Sequence, residues 1–240
     1  MRFIIPAEEI SRGEEINMAV KELTTQHFMV IWNDLRILRG PTEITAERLC
    51  TVPVVQNGQA EIVPTIIAPV IIKRTVKTLP FAPVREAQPA LYPFDGIGIY
   101  NRERFLRLGG FDISFRSFYW QLMDFGFRSR LWGEEIAVSL RTKLSYEGEV
   151  TPVDNTADEN FRRFYLKNLA PVFLGDHANL PLRRFPPFLW KLNSDLFSAW
   201  DEFSLVRQWV KTNRFRFCCD SRALAELWGD AGNDSEDDNL

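Results

Sequence analysis

The chain has 240 residues, 45% of them hydrophobic and 25% charged, with a formal net charge of -3. That length and apolar content supply a buried core and exclude a wholly disordered chain. The longest apolar run, Ile62 to Ile72, is broken by Pro64 and Pro69 and is far shorter than the roughly 20 residues that cross a bilayer, so no transmembrane helix is expected.

The opening Met1-Arg2-Phe3-Ile4-Ile5-Pro6 has too short an apolar stretch for a secretory signal, and a cytoplasmic setting is expected, with peripheral membrane contact left open. Three cysteines, Cys50 and the adjacent Cys218-Cys219, form no spaced framework and read as reduced, buried thiols. With only His27 and His177 besides, no zinc-ligand cluster is present, and any metal chemistry rests on carboxylates.

Apolar Ile16, Val20 and Leu23 at helical spacing predict a helix over Glu14 to Thr24, with Ser11 or Gly13 near its start. Phe28 to Trp32 reads as a buried strand ending in the polar turn Asn33-Asp34. A short helix is expected over Thr42 to Leu49, one or two β segments over Thr65 to Ile72, and irregular chain from Lys77 to Pro93.

Gly96 to Tyr100 is a strand candidate, and Asn101 caps a short helix through Leu108 that Gly109-Gly110 stops. Trp120, Met123, Phe127 and Leu131 recur every three or four residues, Gly133 ends that helix, and Ile136 to Leu140 supplies another strand. Strands alternating with helices imply an α/β layer structure over residues 1–150. From about Asp154 the composition shifts to helix-like segments over Thr156–Asn168, Phe188–Val210 and Ser221–Trp228, a helical appendage over 151–229. From Phe161 to Arg222 eleven Lys or Arg face five Asp or Glu, interleaved with aromatics, which suits anionic phosphates, a membrane surface, or a solvated helix face with arginine stems over aromatic rings. Nothing resembles a sequence-specific nucleic-acid reader. The tail from Asp230 carries five acids and no base and is expected to be disordered.

Gly109-Gly110-Phe111-Asp112, then Trp120-Gln121-Leu122-Met123-Asp124, Arg128 and Gly133 resemble the family 2 glycosyltransferases of the GT-A fold. Upstream, Gly13 and Asn17 followed by Phe28 to Asp34 look like the family's passage from its donor-binding helix into a metal-binding strand end. The resemblance spans Arg12 to Leu140 and implies an incomplete GT-A-like mixed sheet flanked by helices, a nucleotide-sugar donor, a glycan acceptor, and Mn or Mg as the cation. By the same likeness Gly13 and Asn17 contact the donor, Asp34 with Asn33 stands at the metal, Gly110, Asp112, Trp120 and Arg128 contact substrate, and Asp124 is the remaining candidate base.

The chemistry explains why the departures matter. A sugar leaving a diphosphate needs its developing charge neutralised, and an attacking hydroxyl needs a proton acceptor. The family's Asp-x-Asp loop is here Trp32-Asn33-Asp34, and its Glu-Asp pair is Gln121-Leu122, in which leucine accepts no proton. The family's opening strand, helix and strand would precede Gly13, where only a dozen residues stand, and by the same likeness Phe3 to Pro6 is the last short strand before the helix rather than the family's first. A truncated or inactive descendant, or a partner chain completing the sheet, is therefore expected. Beside the functional roles stand plain structural ones: Asp34 as a turn former, Gly109-Gly110 as a helix stop, Trp120 as core, and Asp124 paired with Arg128 at i+4. A non-catalytic binding or assembly protein is the rival reading, and an unrelated α/β protein the weaker third.

Overall fold

The computed structural model describes residues 6–41, 47–57, 60–62, 68–72, 75–79, 85–147, 159–192 and 196–224. Of the expected segments, residues 3–5, 42–46, 65–67, 156–158 and 225–228 lie outside them, as does the acidic tail from 230. The chain divides into two units, residues 1–67, 78–129 and 134–155 in the first, and 68–77, 130–133 and 156–240 in the second.

The first unit is a mixed sheet flanked by helices. Its elements run from helix α1 (Arg12–Glu22) to strands β1 (His27–Val30), β2 (Leu35–Arg39), β3 (Cys50–Asn57) and β4 (Ala60–Ile62). Next in the chain, β5 (Ala68–Ile72) and β6 (Thr75–Leu79) form a ladder separate from this sheet, and residues 68–77 belong to the second unit. After a 3-10 turn over Phe94–Gly96 come β7 (Gly98–Asn101), α2 (Arg102–Leu108), α3 (Phe118–Leu131) and β8 (Ile136–Tyr146). Six strands form the sheet in the order β1-β7-β3-β8-β2, with β4 on β3. β3 and β8 are parallel, and β7 is antiparallel to both β1 and β3, so β1, β3 and β8 run in one direction and present their carboxyl ends at one edge.

Local signals account for the helices. Ser11 caps α1, its Oγ accepting from the Glu14 amide, and Asn101 caps α2 by accepting from the Arg104 amide. Gly109 at φ 96° takes the left-handed position that ends α2. Glu134, buried beyond α3, accepts from Arg104 at 2.7 Å and from Arg107 at 2.6 Å and ties α2 to the chain entering β8. The core between sheet and helices is aromatic. Phe28 stacks on Tyr100 at 5.0 Å, and Phe105, Phe111 and Phe125 pack among themselves at 4.7–5.6 Å.

Several expectations are corrected. Cys50–Asn57 is a central strand, which the sequence hid because Pro53 removes a ladder donor. The structure accommodates it at a register shift between Pro53 and Val54, where β8 loops out three residues between Ser139 and Lys143. The described end of the expected 42–49 helix, Glu47 to Leu49, is not helical. Pro69 does not break the β segment but lies within β5, and Lys77 to Leu79 belongs to β6 rather than to loop. Of the three thiols only Cys50 is buried, Cys218 being exposed and Cys219 half-buried.

The second unit is helical: α4 (Glu159–Phe164) running into a π-helical turn over Tyr165–Leu169, α5 (Phe185–Leu192) and α6 (Leu196–Asn213). A minimal ladder pairs β9 (Val172–Phe173) with β10 (Ala178–Asn179). The single segment expected over Phe188–Val210 is therefore two helices. Trp132 stacks on Trp209 at 5.8 Å, with the Arg216 guanidinium over Trp132 and the Lys167 ammonium over Trp209.

Candidate functional site

The residues carrying the family resemblance fall into two sets, one enclosed and one open. The enclosed set is built where α1 and α3 meet the Gly109-Gly110-Phe111-Asp112 turn. Asn17 clamps that turn through both halves of its amide: Nδ2 donates to the Phe111 carbonyl at 2.7 Å, and Oδ1 accepts from the Phe111 amide at 2.9 Å. Gly110, at φ 66°, is required there, because a Cβ would stand 2.2 Å from Asn17 Oδ1. Gly13 leaves room in the same way, a Cβ falling 2.2 Å from Gln121 Oε1. Gln121 Nε2 donates to Ser11 Oγ and to the Phe115 carbonyl, while its Oε1 is buried without a hydrogen-bond partner among the described residues.

Arg128 holds the turn from the other side. Its Nη2 donates to the Gly110 carbonyl at 2.7 Å, Nη1 to the Leu108 carbonyl at the end of α2, and Nε to Asp124 Oδ2 at 3.0 Å. Asp124 is fully enclosed and the Arg128 side chain 4% exposed, so each neutralises a charge that would otherwise be buried alone. Trp120 is buried, edge-on to Tyr119 at 5.1 Å. Asp112 is half-buried and accepts from the Ser114 amide at 2.9 Å, a turn contact.

The open set stands at the carboxyl edge of the sheet. Asn33 and Asp34 form an exposed turn between β1 and β2, fixed by the Leu35 amide donating to the Trp32 carbonyl and the Glu147 amide donating to the Asp34 carbonyl. Beneath it Val55, Ile97, Leu144 and Tyr146 form a core against which Trp32, Leu35 and Phe94 pack. On this floor sits Asp95, a residue the family resemblance did not single out. It adopts a left-handed φ of 49°, its carbonyl accepts from Trp32 Nε1 at 2.9 Å, Oδ1 pairs with Arg12 at 2.8 Å, and Oδ2 accepts from the Tyr146 hydroxyl at 3.2 Å. The Arg12 guanidinium in turn lies 4.9 Å above the Trp32 ring.

Burial raises the Asp95 pKa above the ordinary carboxylate value; Arg12 and Tyr146 oppose the rise, and the charge of Asp34 adds to it. Burial and the Asp95 charge push the Tyr146 hydroxyl up as well, so it stays a protonated donor. The Asp-Gly pair at 95–96 is a turn signal, and Asp tolerates the left-handed region, but neither says that β8 would bring Tyr146 to it.

Oxygen donors of this kind suit Mg2+ or Mn2+, which are commonly held by one or two carboxylates with substrate phosphates completing the shell. Asp34 and the Asn33 amide fit that pattern. Asp95 is already engaged by Arg12 and Tyr146, and among the described residues no group of three or more His, Cys, Asp or Glu side chains gathers as a metal cluster.

The sequence matches no protein-family model and no curated protein. Among solved structures it is similar to a crystal structure of GalNAc-T7 with UDP, GalNAc and Mn2+, at a TM-score of 0.55 and 12% identity, over 87% of this chain and 44% of that one. The chain thus spans less than half the length of that protein. The likeness shows a glycosyltransferase-like fold of the GT-A type.

Proposed function

We propose that the chain is a glycosyltransferase-like protein of family 2 descent that binds a nucleotide sugar at the carboxyl edge of its sheet and does not catalyse transfer by itself. The observation that carries this reading is the state of Asp124. The one acid in the resemblance's base region is sealed from solvent and committed to Arg128, which in turn holds the carbonyls of Leu108 and Gly110. A base must reach the proton it takes, directly or through one water. Gln121 and Leu122 beside it accept no proton usefully and are themselves buried.

On the donor side, Asp34 with Asn33 would hold the cation and Arg12 would meet phosphate charge, while the cation, when bound, neutralises charge on the leaving diphosphate. The Mn2+ of the structural neighbour supports that choice of metal. Gly13 and Asn17 act in this reading by shaping α1 and the Gly-Gly-Phe-Asp turn, and Asp112 by shaping the turn's exit. Calorimetry with UDP-sugars and Mn2+ tests it: binding that needs the metal and is lost in Asp34→Ala supports the donor site, and no binding defeats it. Glycosyl transfer by this polypeptide alone would overturn the assignment of Asp124.

A second reading, contact with an anionic membrane surface, is favoured by α6. Leu196, Phe197 and Trp200 at its start are exposed, Phe197 at 77%, and Trp200, Leu182, Arg207 and Lys211 line one shallow pocket of about 260 Å³ that has no carboxylate. Apolar side chains beside cations are the pattern of an interfacial helix. Co-sedimentation with phosphatidylglycerol vesicles but not phosphatidylcholine vesicles, reduced in Phe197→Ser, is the expected result.

A further inference from the structure

We propose that Cys218 and Cys219 form a reactive dithiol, a modification site for low-molecular-weight disulfides of the glutathione class, in which Cys218 is the attacking thiol and Cys219 the resolving one. The geometry gathers both sulfurs at one point. Cys218 Sγ lies 3.3 Å from the Leu131 carbonyl and 3.7 Å from the Arg130 carbonyl, and Cys219 Sγ lies 3.9 Å from that same Arg130 oxygen, at the C-terminal end of α3. The Cys218 amide donates to the Leu131 carbonyl at 2.8 Å, which fixes the pair against the helix end. Cys218 is exposed while Cys219 is half-buried. A disulfide can therefore reach the first sulfur from solvent while the second waits beside it.

Exposure assigns the order, and the effect of each thiol on the other runs the same way. The hydrogen bond from Cys219 lowers the Cys218 pKa to about 7, against the pull of partial burial, so a large share is thiolate at neutral pH. Cys219 is held protonated by that same bond, by burial and by the charges of Cys218 and Asp220. Cys218 thiolate attacks one sulfur of the small disulfide, forming a mixed disulfide and expelling the other half as a thiolate. The hydrogen bond and charge of Cys218 are then gone, while burial and the Asp220 charge remain. Cys219 loses its proton to the released thiolate and attacks the Cys218 sulfur, closing a Cys218–Cys219 disulfide and expelling the second small thiol. Two protein thiols are oxidised and one small disulfide is reduced to two thiols. Cys50, fully buried with its pKa raised by burial, serves as the unreactive internal control.

The test uses the full chain with oxidised glutathione, read by intact mass and peptide mapping. Wild type is expected to lose two hydrogens within the 218–219 peptide and to keep no adduct. Cys219→Ser should accumulate glutathione on Cys218, and Cys218→Ser should react about tenfold more slowly or less. A stable adduct on wild type, or a Cys218→Ser variant as fast as wild type, overturns the proposal. Because a serine variant can fail to fold, phenylarsine oxide on wild type gives a second reading. One arsenical bridging both sulfurs with loss of water supports the pair, and no such bridge defeats it.

Discussion

Asp124 and Asp95 are both withdrawn from water in the sheet unit, yet their partners differ in kind. Asp124 faces a guanidinium that is itself buried and spends its other donors on two backbone carbonyls, so the ion pair is part of the frame around the Gly-Gly turn. Asp95 faces Arg12, whose side chain is 52% exposed, and a hydroxyl at a strand end, beside the exposed carboxylate of Asp34. The contrast teaches that what a carboxylate faces decides what it holds. Asp124 is bonded into the frame of the turn, and Asp95 stands at the carboxyl edge of the sheet, where α/β sheets commonly bind ligands.

The contrast breaks most readily at Arg128. Arg128→Met leaves Asp124 buried and uncompensated and should cost about 3–5 kcal/mol in urea unfolding, whereas Arg128→Met with Asp124→Leu should recover a good part of that loss. An equal loss in the double variant would show that the contacts to Leu108 and Gly110, rather than the charge pair, dominate. Gly110→Ala adds a Cβ against Asn17 and a left-handed strain, with an expected cost of about 2–3 kcal/mol by thermal melting. Asn17→Ala strips both bonds from Phe111 and should cost about 1–3 kcal/mol, as buried amide and carbonyl groups are left unpaired.

At the open edge the effects are smaller and depend on pH. A carboxyl whose folded pKa is raised binds its proton more tightly in the folded chain. Its contribution is full below the ordinary Asp value of about 3.9 and fades as pH rises through the raised one. Wild type should lose a little stability over that window, and Asp95→Asn should flatten the unfolding midpoint against pH there. Arg12→Ala, at a pair with one solvent-exposed partner, should cost no more than about 1 kcal/mol, less at high salt. A pH-independent profile in wild type would remove the coupling claimed for Asp95.

Much of this was legible in the residues themselves. The capping Asn101, the stop at Gly109, the 3–4 spacing of Trp120 to Leu131 and the i+4 placement of Asp124 and Arg128 are signals within one or two turns of chain, and the structure follows them. The α/β layering was also within reach, since alternating strands and helices have few ways to pack, whereas the mixed sheet was implied by the family resemblance alone. What the residues could not disclose were partnerships across long separations. Pro53 lies in a central strand because a bulge in β8 absorbs its missing donor, and Asp95 gains a role because Arg12 and Tyr146 arrive from 83 residues before it and 51 after. Capping and helical spacing act between neighbours in the chain, so the order of amino acids determines them directly. Whether a carboxylate ends up sealed against an arginine or standing at an open edge depends on which distant surfaces share one core, and only the folded chain decides that.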